Sequence, residues 1–260
     1  MTAGMHNELV LDQFTRQAAP FSAAAMITDA RVLRLLLDAA GPTDADTVLD
    51  VCCGPGLVVC AFAPHVRQAT GIDFTPAMLD RARALAAEHG LCNVALDQGD
   101  AYALPYPDGS FTIVVTRYSL HHLEDPTAAL REMVRVCEPG GRIVVADAYA
   151  PEHPAQAAAY HRVEVLRDPS HARSLSLRES MALFAEARLG EPRMISYELP
   201  VELGDLLGRA FPNPGDEAEI VAAFRASAVD NRLGIPVRLD GDKLHIAYQA
   251  VILAATRATM

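Results

Sequence analysis

Thr47-Val48-Leu49-Asp50-Val51-Cys52-Cys53-Gly54-Pro55-Gly56 is the stretch that decides the fold. Its β-branched, apolar start predicts a buried strand, Gly54-Pro55-Gly56 a turn, and the apolar residues beyond it a short helix to about Ala63. A second apolar run, Ala69-Thr70-Gly71-Ile72, ends in Asp73. A glycine turn lets backbone approach a nucleotide-like ligand, and a carboxylate closing the next strand suits ribose hydroxyls.

Working outward, strands and helices alternate. Strands are expected at Thr47–Cys52, Gln68–Ile72, Val94–Gln98, Phe111–Thr116 and Arg142–Asp147, the last entered through the turn Pro139-Gly140-Gly141. Thr75 and Pro76 open one helix, Asp125-Pro126 another. This alternation implies a parallel sheet with ligands at the carboxyl ends of its strands. Residues from about Asn7 to Ala40 read as two helices broken near Pro20, before the strand pattern starts. Beyond strand five, a helix follows Pro154, Ser176-Leu177-Arg178-Glu179 forms a capping box, and two β-like runs, Pro192–Pro200 and Leu244–Arg257, flank a helical insertion. The expected organisation is N-terminal helices over residues 1–43, a nucleotide-binding core over 44–150, and acceptor or lid helices with the final strands over 151–260.

The 260 residues are 51% hydrophobic and 21% charged, enough for a sizeable core. The formal net charge of −11 opposes broad contact with nucleic acid phosphates. No basic start precedes a long apolar run, and no stretch reaches the ~18 apolar residues of a membrane span. The five cysteines are odd in number and lack C-x-x-C spacing, which predicts a cytoplasmic protein without a disulfide framework or a metal site. A homodimer stays open.

A dinucleotide-dependent oxidoreductase would carry a third glycine where Val59 stands. A lone G-x-G is weak; its combination with Asp73, Gly99-Asp100-Ala101 and Pro139-Gly140-Gly141-Arg142 is specific. Together these resemble a class I S-adenosylmethionine-dependent methyltransferase, of the methyltransferase type 11 group seen in ubiquinone and menaquinone biosynthesis. The likeness covers residues 44–150 and extends into Arg117-Tyr118-Ser119-Leu120-His121-His122 and Asp168-Pro169-Ser170-His171-Ala172-Arg173, segments similar to an R-Y-x-x-H-H and D-P-S-H-x-R subgroup.

The resemblance implies a Rossmann-like α/β three-layer sandwich: a mostly parallel seven-stranded sheet, last strand antiparallel, with N-terminal helices and a helical insertion as lid. It implies S-adenosyl-L-methionine as cofactor. The turn Asp50, Cys52, Gly54, Gly56 would face the methionine part and Asp73 the ribose, with Phe74 and Met78 near the adenine. Asp100 and Ala101 would take the adenine edge, and Thr116 and Arg117 would close the site near the methionine carboxylate. Cys52 departs from the family's D-x-G-C-G-x-G, where a glycine is usual.

The reaction expected is in-line methyl transfer to a small-molecule acceptor, without nucleic acid or membrane partners. The alternative is a protein of the same fold that binds the cofactor structurally or performs non-methylating chemistry such as cyclisation. His122, His121 and His171 are the candidate general bases for an oxygen or carbon acid, against the alternative that they pack under the adjacent helix. Phe14, Phe21, Tyr118, Tyr149 and Asp168 are candidate acceptor contacts.

Overall fold

Alternating apolar strands and short helices build one sheet in the order β3-β2-β1-β4-β5-β8-β6, with β7 paired to β8 off that path. A computed structural model describes residues 3–22 and 27–259, without the side chains of 3, 4, 21 and 22. The strands are β1 Thr47–Val51, β2 Gln68–Asp73, β3 Val94–Gln98, β4 Phe111–Arg117, β5 Cys137–Ala148, β6 Arg193–Glu202, β7 Val237–Asp240 and β8 Lys243–Thr256. The helices are α1 Ala3–Ser22, α2 Ala30–Ala40, α3 Leu57–Phe62, α4 Pro76–Glu88, α5 Pro126–Val136, α6 Pro154–Arg167, α7 Leu177–Glu186, α8 Leu203–Leu207 and α9 Asp216–Asp230.

From β3 through β5 every pairing is parallel, and β8, last in the chain, inserts antiparallel between β5 and β6. The chain winds outward from β1 to β3, then crosses back to place β4 against the other edge of β1. That reversal opens a crevice at the carboxyl ends of β1 and β4.

The strands are covered on both faces, so successive residues feed opposite cores. In β4, Ile113 and Val115 join Val32, Leu36 and Phe62 on one side, while Val114 joins Leu130, Met133 and Phe184 on the other. β8 does the same with Ala250 and Ile252 against Val251 and Leu253. Burying a large aliphatic or aromatic side chain contributes ~1.5–3 kcal/mol, so these two layers supply the bulk of the stabilisation.

Helix ends follow local chemistry. Ser176 and Glu179 make the expected capping box at α7, and Asp125 accepts from Ala128 N at 2.9 Å ahead of Pro126. Thr75 differs. It stands at the N-cap of α4 but makes no side-chain cap bond; its backbone N–H donates to Asp73 Oδ1 at 2.8 Å.

Two boundaries also differ from expectation. β5 starts at Cys137, and Pro139-Gly140-Gly141 lies inside it as an irregularity, with the β4–β5 register jumping from Phe111↔Cys137 to Ile113↔Arg142. β7 is an additional strand; its four largely exposed residues lack an apolar alternation that would mark it. Pro20 sits within α1, which ends two residues later at Ser22.

Gly56 fixes how α3 meets α4. Its φ is +87°, and a Cβ there would lie 2.7 Å from the Ala82 Cβ. Gly56→Ala is expected to lower stability by about 1–3 kcal/mol, through the clash and the left-handed backbone. A urea midpoint equal to that of the parent protein would contradict this.

Candidate active site

The crevice is a cavity of about 1080 Å³, counting its open mouth, walled by the turn after β1, the ends of β2 and β3, the loop after β4, and α1. Asp73 is its central carboxylate. Oδ2 accepts from Gly54 N at 2.8 Å and Oδ1 from Thr75 N at 2.8 Å, so it joins the β1 turn to the start of α4. Burial raises its pKa against these hydrogen bonds. Each carboxylate oxygen retains acceptor capacity for a ligand hydroxyl.

Asp50 lies beneath the same turn. Oδ2 accepts from Val59 N at 3.1 Å, and burial pushes its carboxyl up to about 8, opposed by the charge of Arg117. The Arg117 Nη2 donates to the Ile27 carbonyl at 3.0 Å, whereas its buried Nη1 has no hydrogen-bond partner among the described residues. A buried, unspent guanidinium N–H is costly unless a ligand meets it. Vicinal hydroxyls at Asp73, a carboxylate at Arg117, an ammonium at Asp50 and a flat ring against Ile72, Phe74 and Met78 are what this wall accepts, and these groups fit S-adenosylmethionine.

Cys52 holds a left-handed φ of 56°, the conformation a glycine would take without strain. Burial raises the thiols of Cys52 and Cys53, so both stay protonated and serve as small side chains. Of the other expected cofactor residues, Gly54, Asp100 and Ala101 line the cavity, with Asp100 Oδ1 turned onto Tyr102 N at 2.9 Å. Gly56 and Thr116 do not line it: Gly56 backs onto Ala82, and the Thr116 hydroxyl donates to the Val51 carbonyl at 2.7 Å.

A second chamber, about 730 Å³ with its opening, adjoins the first. Ile27, Tyr118 and His122 line both, forming the throat between them. Tyr118 also has a left-handed φ of 56°, and its hydroxyl accepts from Tyr197 at 3.0 Å. Phe14 stands edge-on to the His122 ring, with centroids 4.8 Å apart, on the cofactor side of the throat. Asp168 lines the second chamber; Tyr149 lines neither. The side chain of Phe21 lies outside the described residues.

Three expected histidines meet here, in different electrostatic states. His121 Nδ1 lies 2.7 Å from Asp147 Oδ1, which makes Nδ1 the donor and leaves Nε2 as the basic nitrogen. Burial disfavours its cation, but the Asp147 carboxylate outweighs that and raises its pKa. His122 Nδ1 faces the Ser170 carbonyl at 3.1 Å; burial and His121 push it down to about 4. His171 is lowered further by burial and by the charges of His121 and His122, and its buried Nδ1 has no hydrogen-bond partner among the described residues. Among the described residues no group of three or more His, Cys, Asp or Glu is arranged to hold a metal ion.

Sequence reasoning gave no role to Asp147, Glu164, Arg167, Arg209 or Tyr248. Asp147 was traceable as the residue leaving β5. Glu164 and Arg167 share a helical face and pair at 2.6 Å, and Tyr248 donates to Glu164 at 2.8 Å from a strand 84 residues on. Nothing local in the sequence joins those last two.

His122 contributes stability above its unfolded value of 6.5, and this is lost as pH falls toward its folded value of about 4. Asp50 and His121, both raised, act in the opposite sense, so a variant isolates the effect. The destabilisation caused by His122→Gln should be smaller at pH 4.5 than at pH 7.5, by on the order of 2 kcal/mol. Equal destabilisation at both pH values would refute a neutral His122.

A methyltransferase-domain family model matches residues 49–145. The uncharacterized methyltransferase YcgJ of Bacillus subtilis is 31% identical over 242 residues, covering 92% of this chain and 96% of the relative. Its crystal structure superposes with a TM-score of 0.82 over 88% of this chain and 99% of that one. A putative methyltransferase from Bacillus halodurans C-125 gives 0.83 at 26% identity, covering 88% and 100%. The fold is shared with geranyl diphosphate C-methyltransferase of Streptomyces coelicolor, crystallised with S-adenosyl-L-homocysteine, at 20% identity and a TM-score of 0.61 over 88% and 76%.

Proposed function

We infer the acceptor chemistry from a firm premise: the chain belongs to the class I S-adenosylmethionine-dependent methyltransferases. On that premise it methylates a small molecule held in the second chamber. The observation that carries this reading is the throat of Ile27, Tyr118 and His122, where ligands of the two cavities would meet. The chamber mixes apolar walls such as Leu199 and Leu206 with a few polar groups, as small-molecule sites do. A net charge of −11 suits a small acceptor better than a nucleic acid.

When bound, S-adenosylmethionine supplies an electrophilic methyl group. Asp73 would hold its ribose hydroxyls, Arg117 Nη1 its carboxylate and Asp50 its ammonium, while Phe74, Met78 and Ala101 enclose the ring. The rest is done by this chain's own side chains. His121 Nε2 accepts the proton of an acidic acceptor group, a hydroxyl or an activated carbon, and Asp147 stabilises the imidazolium that results. His122 at about 4 and the still lower His171 are too weakly basic at neutral pH for that task. His122 keeps the throat uncharged, and His171 does the same for the wall of the second chamber. Holding acceptor and donor in fixed geometry supplies much of the rate, since effective molarities of about 10⁵–10⁸ M are reached in well-oriented systems.

Calorimetry should register S-adenosylhomocysteine binding to the pure protein, and Asp73→Asn should weaken it about tenfold or more, equivalent to roughly 1.4 kcal/mol. No heat of binding, with the fold intact by circular dichroism, would sink the cofactor assignment. With an acceptor found from a panel of phenols, enols and carbon acids, the rate should climb with pH as His121 loses its proton. Asp147→Asn should lower kcat by roughly 10²–10⁴-fold and move the inflection to lower pH, because the carboxylate that raises His121 is gone. An unchanged pH profile would remove His121 as the base.

A further inference from the structure

We propose that the Tyr118 hydroxyl is the hydrogen-bond donor that receives the acceptor's oxygen at the throat and holds it as an oxyanion once His121 has taken the proton. The acceptor is then a small neutral acid whose negative charge, on loss of that proton, comes to rest on oxygen. This deepens the methyltransferase reading and rests on it for the word acceptor.

Of the throat residues Ile27, Tyr118 and His122, Tyr118 is the one whose side chain offers a proton. Ile27 is apolar. His122 directs Nδ1 at the Ser170 carbonyl at 3.1 Å, so that nitrogen carries the proton of the neutral ring and Nε2 has none to give. Tyr118 accepts from Tyr197 Oη at 3.0 Å. Burial fixes the direction of that bond. Tyr197 is buried and has no other hydrogen-bond partner among the described residues, so its own O–H goes to Tyr118. The Tyr118 proton is left without an acceptor among the described residues, on a side chain that lines both cavities.

The backbone holds this group in place. Tyr118 has a left-handed φ of 56°, which a bulky side chain adopts only under strain, and such strain clusters at functional sites. Its N–H donates to the Ala146 carbonyl at 2.8 Å, one residue before Asp147, and the Arg117 guanidinium lies 4.9 Å from its ring centroid. Burial, against the Arg117 charge, pushes its phenol up to about 12, so the proton stays on it at neutral pH. Asp147 acts electrostatically on Tyr118 as it does on His121, so donor and base lie within reach of one carboxylate. Both line the second chamber. The step conserves charge. The acceptor enters neutral and its proton goes to His121 Nε2; the electron pair left behind bonds the methyl carbon and displaces the S–C pair onto sulfur. Until that transfer the negative charge rests on the oxygen that Tyr118 holds.

The probe is acetophenone isotopically labelled at its carbonyl carbon, a neutral ketone that can enolise, studied on the full chain with and without S-adenosylhomocysteine. Isotope-edited infrared spectra should place the bound carbonyl band below its frequency in an aprotic solvent. Tyr118→Phe should remove most of that shift. By calorimetry acetophenone should bind Tyr118→Phe about fivefold more weakly than the parent protein, the size of one neutral hydrogen bond. Styrene, which lacks the oxygen, should bind both within about twofold, whereas a purely structural role for Tyr118 would weaken the two ligands alike. Tyr197→Phe leaves the Tyr118 hydroxyl in place and should keep the larger part of the shift. No binding of acetophenone, no shift in the parent protein, a shift intact in Tyr118→Phe, equal weakening of acetophenone and styrene, or a shift lost only in Tyr197→Phe overturns the role of Tyr118. Failure of S-adenosylhomocysteine to bind counts against the methyltransferase reading instead, because the carbonyl contact is also scored without it.

Discussion

The carboxylate of Asp73 is the joint on which the cofactor cavity depends. It ends β2, yet its two oxygens hold backbone N–H groups from both sides, Gly54 in the turn after β1 and Thr75 at the start of α4. Remove that carboxylate and two loops lose their common acceptor while a ligand loses its anchor. Gly56 completes the joint from behind, since only a residue without a Cβ lets the turn sit against Ala82. Cys52 runs the other way: a cysteine held left-handed stores strain of roughly 1–2 kcal/mol in that turn, held in place by the surrounding bonds.

Beyond the throat, one physical effect sorts three neighbouring imidazoles into different roles. His121 and His122 rings are 4.3 Å apart, and His121 and His171 rings 5.5 Å. At such distances in a buried site, they cannot all be protonated. Asp147 decides which one takes the charge by bonding His121, while burial first and the His121 charge second depress the other two. A single carboxylate at the end of β5 thus makes one base and two neutral spacers out of three similar residues.

Much of the sheet and of the cofactor side was legible in the sequence, because their information is local. Strand three was read at its observed bounds and the Ser176 capping box from a four-residue pattern, while the antiparallel final strand came from the family resemblance. Each signal spans a few residues: a β-branched run, a glycine at a turn, a carboxylate one step past a strand. Where a residue had two available partners, the pattern chose wrongly or not at all. Thr75 gives α4 no side-chain cap, and the Thr116 hydroxyl went to the neighbouring strand and not to the cavity.

The acceptor side was illegible for a different reason. Its contacts join elements far apart in the chain: His6 meets the His122 carbonyl across 116 residues, Gln17 meets Asp168 across 151, and Tyr248 reaches Glu164 across 84. No short window holds both members of any such pair, and each member alone is an ordinary polar residue on a helix or strand. The same separation has a functional consequence. α6, α8 and β8 meet around the second chamber alone, whereas α1 lines both cavities and packs on α4, so a change on α1 reaches both. The second chamber is thus built by Tyr160, Leu199, Leu206 and Tyr248, on elements other than the glycine turn that identifies the family.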